Sequence, residues 1–275
     1  MSDQLNTGVS ATGEDLGALK NAYALQGRNV GCSLKLLGRV VLVTFLICDG
    51  ECGWDEAAEK AAVTMLKKVC KRIEKDSGKD AKDLSVTYAY CKVKVPYVVS
   101  RENRSKFIED VLLQFGYKDV ESYQRHYEKK FSRDEACITF LLNKGSRSGQ
   151  DGRSYASRVT SRNSSGDKPD PTGEEYSMVF FDPDDPVSSE RGMLHELLHQ
   201  FGAIDMYYPS VLQFEAQRHL PGSIMDGGDV IDSLTRYVIG WDDKLAPDAR
   251  NFLEAISGIS QEAIDRARQD QWADD

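Results

Sequence analysis

The chain has 275 residues, of which 40% are hydrophobic and 29% are charged, and its formal net charge is −9. This size and apolar content predict one sizeable hydrophobic core, and the negative charge argues against nucleic acid as a partner. No apolar run approaches the ~20 residues that span a membrane, and the first residues lack the basic and apolar regions of a signal peptide. We therefore expect a cytoplasmic protein that has no membrane partner and whose six cysteines are reduced.

Residues 1–38 are mostly polar, with a predicted short helix around 16–25, and form a candidate regulatory segment. From Arg39 to Ile47 the residues are apolar and β-branched, which predicts a central strand that is buried on both faces. The elements that follow are predicted from their periodicity: a helix at 55–75, a strand at 84–99, helices at 105–115 and 119–130, and strands at 136–142 and 176–181. This order of strands and helices predicts an α/β fold with a mainly parallel sheet.

The segment between the last two strands, residues 145–173, is rich in Ser, Gly and Arg and poor in apolar residues. Such a composition buries too little apolar surface to fold by itself, so we interpret the segment as a flexible insertion. The alternative is a flap beside a cleft, or a cleavable segment that controls access to the cleft.

The most informative stretch of the chain has the pattern H-E-x-x-H-x-x-G-x-x-D and ends at Asp205. Residues four apart lie on one face of a helix, so His195 and His199 can bind the same ion. Glu196 lies about 100° further around the helix, where it can reach a metal-bound water and act as a general base. Gly202 allows the helix to end with a positive φ, which brings Asp205 back towards the ion as a third ligand. Two imidazoles and one carboxylate leave the fourth position of a tetrahedral zinc open for water.

Two other residues are candidates for the third ligand. Glu215 lies further along the chain, as the glutamate ligand of thermolysin-like enzymes does, but the helical N-E-x-x-S-D context of those enzymes is missing around it. His219 is a candidate because histidine is the commonest metal ligand, although it stands beside a Leu-Pro-Gly sequence in a predicted loop. The spacing of the motif favours Asp205 over both.

The remaining elements surround this motif. Ser188 or Ser189 is predicted to cap the motif helix. After the motif, a connection of about fifteen residues leads to Ser223–Gly228, whose two final glycines suit a tight turn. We then expect a helix capped by Asp229 and a final helical region from Pro247 to about Gln269.

The motif together with Ser223-Ile224-Met225 resembles the metzincin clan of zinc metallopeptidases, in which a methionine lies in a tight turn beneath the metal. The resemblance assigns that place to Met225. An aspartate as third ligand looks like the snapalysin-type variant, because most of the clan has histidine there. Some members carry a tyrosine two residues beyond the methionine, where this chain has Gly227. Other tyrosines that are candidates for assisting catalysis are Tyr207, Tyr208 and Tyr237.

The resemblance implies a twisted, mainly parallel sheet with an antiparallel edge strand, an active-site helix and a smaller, mostly helical C-terminal subdomain. The corresponding boundaries are 39–202 for the N-terminal catalytic subdomain and 203–275 for the C-terminal one. It further implies that the strand at 176–181 is the antiparallel edge strand and pairs with the substrate through Met178, Val179 and Phe180. The residues alone are equally compatible with an ordinary inner strand.

The residues and the resemblance together predict a zinc-dependent endopeptidase that acts on a protein or peptide substrate, with Zn²⁺ as its cofactor and Glu196 as its general base. Two alternatives remain. One is a zinc-dependent hydrolase of a small amide, which uses the same chemistry. The other is a non-catalytic zinc protein that binds a partner, and the presence of Glu196 argues against it because such a protein needs no base.

Overall fold

The computed structural model describes residues 33, 35–49, 53–79, 81, 83–99, 103–143, 154–157, 175–207 and 210–259. Several sequence predictions lie outside these residues: the helix around 16–25, the candidate role of Tyr208, and most of the segment 145–173. Among the described residues, no helix is both long and apolar enough to cross a membrane.

The fold is a mixed α/β arrangement around one five-stranded sheet. Its strands are β1 (Arg39–Cys48), β2 (Ser85–Lys94), β3 (Glu135–Asn143), β4 (Tyr155–Ser157) and β5 (Tyr176–Phe181). The order across the sheet is β2-β1-β3-β5-β4, with every pair parallel except β4 and β5. The predicted α/β fold with a mainly parallel sheet is therefore confirmed.

The antiparallel edge strand is β4 and not β5. The prediction for 176–181 was wrong in this respect, because β5 pairs in parallel with β3 on one side and antiparallel with β4 on the other. In the second ladder Tyr155 stands opposite Met178, and Ser157 stands opposite Tyr176. A three-residue strand in a polar segment has too short a pattern to be recognised from periodicity.

Seven helices occur in the described residues. They are α1 (Glu56–Ser77), α2 (Arg104–Leu113), α3 (Val120–Phe131), α4 (Pro186–Gln200), α5 (Ser210–His219), α6 (Ser233–Val238) and α7 (Pro247–Ser257). The predictions for the first three were correct to within a few residues. Asp55 caps α1 by accepting from the backbone N–H of Ala58, and Asp119 caps α3 by accepting from Ser122.

Three predictions in the C-terminal half were wrong. The motif helix α4 is capped by Asp185, and Ser189 lies inside the helix with its hydroxyl directed at backbone carbonyls. His219, which was predicted to lie in a loop, is the last residue of a helix, α5. The cap of α6 is Asp232, because Asp229 is engaged by the guanidinium of Arg72 on α1 at 2.8 Å.

The sheet has a hydrophobic core on each face. One core contains residues of α1, α4, α5, α6 and α7, and the other contains residues of α2 and α3. Along β1, Val40 and Leu42 face the first core while Val41 and Val43 face the second. Burial on both sides explains why this strand has a nearly continuous apolar sequence.

Candidate metal centre

The motif helix α4 is fastened to the sheet by a buried polar cluster. The amide of Gln200 donates to Ser177 Oγ at 2.7 Å and to the carbonyl of Ile138 at 3.2 Å. The hydroxyl of Ser177 donates in turn to the backbone carbonyl of Glu196 at 3.0 Å. These bonds fix the last turns of the helix, which carry the motif, relative to β3 and β5.

Three predicted ligand atoms converge at one point. The Nε2 atoms of His195 and His199 are 3.1 Å apart, and Asp205 Oδ1 lies 3.2 Å from the first and 3.0 Å from the second. A tetrahedral zinc with donors at roughly 2.0–2.2 Å has donor atoms roughly 3.3–3.6 Å apart. The triangle of donor atoms is therefore close to one face of a zinc coordination tetrahedron.

Backbone carbonyls set the tautomer of both histidines. His195 Nδ1 lies 2.9 Å from the carbonyl of Ile224, and His199 Nδ1 lies 2.7 Å from that of Ala203. A carbonyl can only accept, so each Nδ1 carries the hydrogen and each neutral ring directs its Nε2 lone pair at the centre. This second contact of a ligating histidine is typical of metal sites, and the donor set fits a zinc ion.

The charges of the site influence one another. Burial alone would raise the pKa of Asp205, but the two imidazoles hold it well below its usual range. Burial alone would lower the pKa of His195, but Asp205 and Glu196 raise it above its ordinary value. In the metal-free chain, a proton therefore competes with a cation for the centre.

Glu196 lies beside the centre without belonging to the triangle. Its carboxylate lies within 4.8 Å of the ligand nitrogens of His195 and His199, and the side chain is buried. Burial raises the pKa of Glu196, while the two histidines oppose the shift. A carboxylate with a raised pKa next to an open metal position suits a general base.

The loop after α4 returns the chain to the centre. Gly202 has a φ of +93°, as predicted for the turn that precedes Asp205. Met206 then donates from its backbone N–H to the carbonyl of Met225 at 2.8 Å. Met225 is fully buried in a 3₁₀ turn, Ile224–Asp226, and the carbonyl of Ile224 is the one that holds His195.

The other candidate residues have different surroundings. Glu215 and His219 both lie on α5, where Glu215 Oε2 is 3.4 Å from His219 Nε2. The ring of Tyr207 lies 6.2 Å from that of His195 and is partly exposed, whereas Tyr237 is buried in the core. Among the described residues, His195, Glu196 and His199 also have candidate ligand atoms within 4.8 Å of one another, which agrees with the position of Glu196 beside the triangle.

The proposed substrate residues of β5 lie on opposite faces of the sheet. Met178 and Phe180 contact the core of α2 and α3, whereas Val179 belongs to the core that contains α4. The Phe180 N–H donates to Ser154 Oγ at 3.1 Å, so this backbone group is already paired.

Sequence reasoning missed the groups that support the ligands. The backbone carbonyls of Ala203 and Ile224 have no sequence signature, because every residue type has such a carbonyl. Gln200 could have been recognised from the sequence as a buried polar contact, because it is a polar residue that directly follows His199 in an otherwise apolar helix face.

Comparisons with known proteins are sparse. No family model and no curated protein matches the chain. One similar solved structure is that of metalloproteinase-II from Bacteroides fragilis, with 11% sequence identity and a TM-score of 0.35. The alignment covers 72% of this chain and 53% of that chain, so this chain spans about half the length of its structural neighbour. A functional inference must therefore depend on the site itself.

Proposed function

We propose that the chain is a zinc-dependent endopeptidase. The observation that carries this proposal is the triangle of His195 Nε2, His199 Nε2 and Asp205 Oδ1, with sides of 3.0–3.2 Å and Glu196 beside it. These three residues would hold the ion. Zinc bound there would supply a Lewis acid that polarises a scissile carbonyl and acidifies a water.

The residues of the chain supply the proton transfers. Glu196 accepts a proton from the attacking water and then delivers it to the leaving amine. Its burial raises its pKa, which makes the carboxylate a stronger base towards the attacking water. Asp205 and the two Nδ1–H groups keep the imidazoles oriented while this occurs.

The outer edge of β4, with which no other strand of the described residues pairs, favours a peptide over a small amide. β4 is the last strand in the order of the sheet, and it packs against α4 as well as β5. Burial raises the pKa of Tyr155 on β4, and the packing of β4 against α4 puts this strand beside the helix that carries Glu196. An extended peptide can therefore add to β4 as a further strand and bring its backbone to Glu196. Met178, Val179 and Phe180 would then support β4 from the inner side.

Cleavage assays with two kinds of substrate test this function. The purified protein is incubated with a library of internally quenched peptides and, separately, with small acyl amides. We expect hydrolysis within the peptides that stops with a chelator, returns with Zn²⁺ and is absent in Glu196→Gln. Hydrolysis of the amides alone would favour the small-amide alternative. Zinc binding with no turnover of either would favour the non-catalytic one.

A further inference from the structure

A buried carboxylate, Asp232, lies behind the turn that contains Met225. It accepts hydrogen bonds from the N–H and hydroxyl of Thr235 at 2.9 and 2.7 Å, which belong to the cap of α6. It accepts a third bond from the hydroxyl of Ser223 at 2.6 Å. Asp232 and Ser223 are 6% and 0% exposed, so water does not compete for this bond.

From Ser223 the hydrogen bonds continue to a metal ligand. Ser223 Oγ accepts from the backbone N–H of Met225 at 3.1 Å. That N–H belongs to the same peptide group as the carbonyl of Ile224, which accepts from His195 Nδ1 at 2.9 Å. One continuous path therefore joins carboxylate, hydroxyl, peptide group and imidazole.

The direction of every bond along this path is determined. A serine hydroxyl has a single proton. Ser223 donates it to Asp232 at 2.6 Å, because a carboxylate is a stronger acceptor than the thioether of Met206, which lies 3.8 Å away, and its lone pairs remain for the N–H of Met225. The peptide group is thus held at both ends, by Ser223 at its N–H and by His195 at its carbonyl. Hydrogen bonds in such a chain polarise one another, so the carboxylate strengthens the acceptor that faces His195.

We propose that Asp232 is a positioning residue for the metal ligand His195, acting through Ser223 and the Ile224–Met225 peptide group. Ligating histidines commonly donate to a carboxylate directly, which fixes the ring and makes it a stronger donor to the metal. Here the carboxylate acts through two intermediate groups. The proposal rests on the metal centre described above. His199 is held by the Ala203 carbonyl in the loop after its own helix, so it serves as an internal reference.

Zinc affinity of matched variants tests the relay. The dissociation constant is measured by competition with a chromophoric chelator for wild type, Asp232→Asn, Ser223→Ala and the double variant. We expect each single variant to bind zinc ~10–100-fold more weakly, as is typical when a partner of a metal ligand is lost. The double variant should be no weaker than the worse single one, because both changes break the same path. Ser233→Ala is the control, since it removes a side-chain bond at the start of the same helix, to Asp248, that does not touch the path, and it should keep the affinity of wild type.

A spectroscopic measurement on the metal-free chain separates positioning from general loosening. We expect the ¹⁵N shifts of His195 to show a smaller fraction of the Nδ1–H tautomer in both single variants, with those of His199 unchanged. Circular dichroism shows whether each variant is folded. If Asp232→Asn does not fold, the result for Ser223→Ala alone tests the relay. Wild-type zinc affinity in both variants, or equal changes at both histidines, overturns the proposal. If the wild-type chain bound no zinc, the proposed function would fail, and the His195 shifts would still decide the relay.

Discussion

The hydroxyl of Ser177 on β5 donates to the backbone carbonyl of Glu196 on α4 at 3.0 Å, and it accepts from the amide of Gln200 one turn later. One side chain thus connects the inner strand β5 with both Glu196, the proposed base, and the end of the motif helix. The sheet determines the position of the helical turn that carries Glu196 through this contact, and Gln200 completes the connection by donating to Ile138 on β3.

Replacement of Gln200 by leucine should destabilise the fold. Gln200 is fully buried, and its loss leaves the carbonyl of Ile138 without the amide that it accepts from. An unsatisfied buried polar group costs roughly 1–3 kcal/mol, so the free energy of unfolding in urea should fall by about that amount. The same change at Gln114, which is exposed, should shift it by less than ~0.5 kcal/mol. Equal stability of Gln200→Leu and wild type would contradict the assigned role.

The ligand assignment predicts which residues zinc retention depends on. His199→Ala and Asp205→Ala should each lose most of the bound zinc, because either change removes a donor atom from the triangle. Zinc content is measured by elemental analysis after dialysis. Glu215→Ala and His219→Ala are matched controls on α5 and should retain zinc. Loss of zinc in either control, with retention in Asp205→Ala, would transfer the third-ligand role to α5.

The motif could be predicted because its geometry is local. His195, Glu196 and His199 lie within five consecutive residues, and helical periodicity alone determines which of them share a face. The cores could be predicted for a similar reason, since the apolar run of β1 and the amphipathic pattern of α1 each reflect burial directly. Contacts between segments that are distant in the sequence leave no local pattern, so they could not be predicted in this way.

Three features depended on such distant contacts. The direction of β5 and its pairing with β4 are set by the whole sheet, and the apolar pattern of a strand is the same in either direction. Asp229 and Asp232 are both suitable helix caps by residue type, and the ion pair of Asp229 with Arg72 decides between them. Ser223 had a predicted place in a turn, but its bond to Asp232 is visible only in three dimensions.

Glu196→Gln should separate metal binding from turnover. Glutamine has the same shape but cannot accept the proton of the attacking water, so we expect zinc content near that of wild type and a loss in kcat of at least ~10²–10⁴. Zinc content and peptide hydrolysis are measured on the same preparation. A kcat close to that of wild type would show that another group removes the proton.

Gly227 and Gly192 should respond to alanine with opposite signs. Gly227 ends the 3₁₀ turn with a φ of +79°, and no atom would contact an added Cβ, so the cost is conformational and about 1 kcal/mol. Gly192 lies inside α4 with equally open surroundings, so alanine there should stabilise by ~0.5–1 kcal/mol. The measurement is the free energy of unfolding of the metal-free protein, and destabilisation by Gly192→Ala would contradict the helix geometry.

Glu135 on β3 should make the stability depend on pH. Burial raises its pKa from 4.5 to about 8, with Glu128 and Glu175 adding to the shift and the hydrogen bond from Ser33 opposing it. The folded chain keeps this proton at pH values where the unfolded chain has released it. The contribution of Glu135 to stability is therefore complete below about pH 4.5 and is lost as the pH rises through about 8.

Glu135→Gln removes this titration and keeps a side chain that can accept from Ser33. Relative to the variant, wild type should lose on the order of a few kcal/mol between about pH 5 and about pH 8, since each pKa unit corresponds to ~1.4 kcal/mol. Urea denaturation of both proteins across this range measures the difference. The exposed Glu109→Gln controls for the altered net charge and should keep the pH dependence of wild type. If wild type and Glu135→Gln lose stability in parallel as the pH rises, Glu135 does not hold the proton in the folded state.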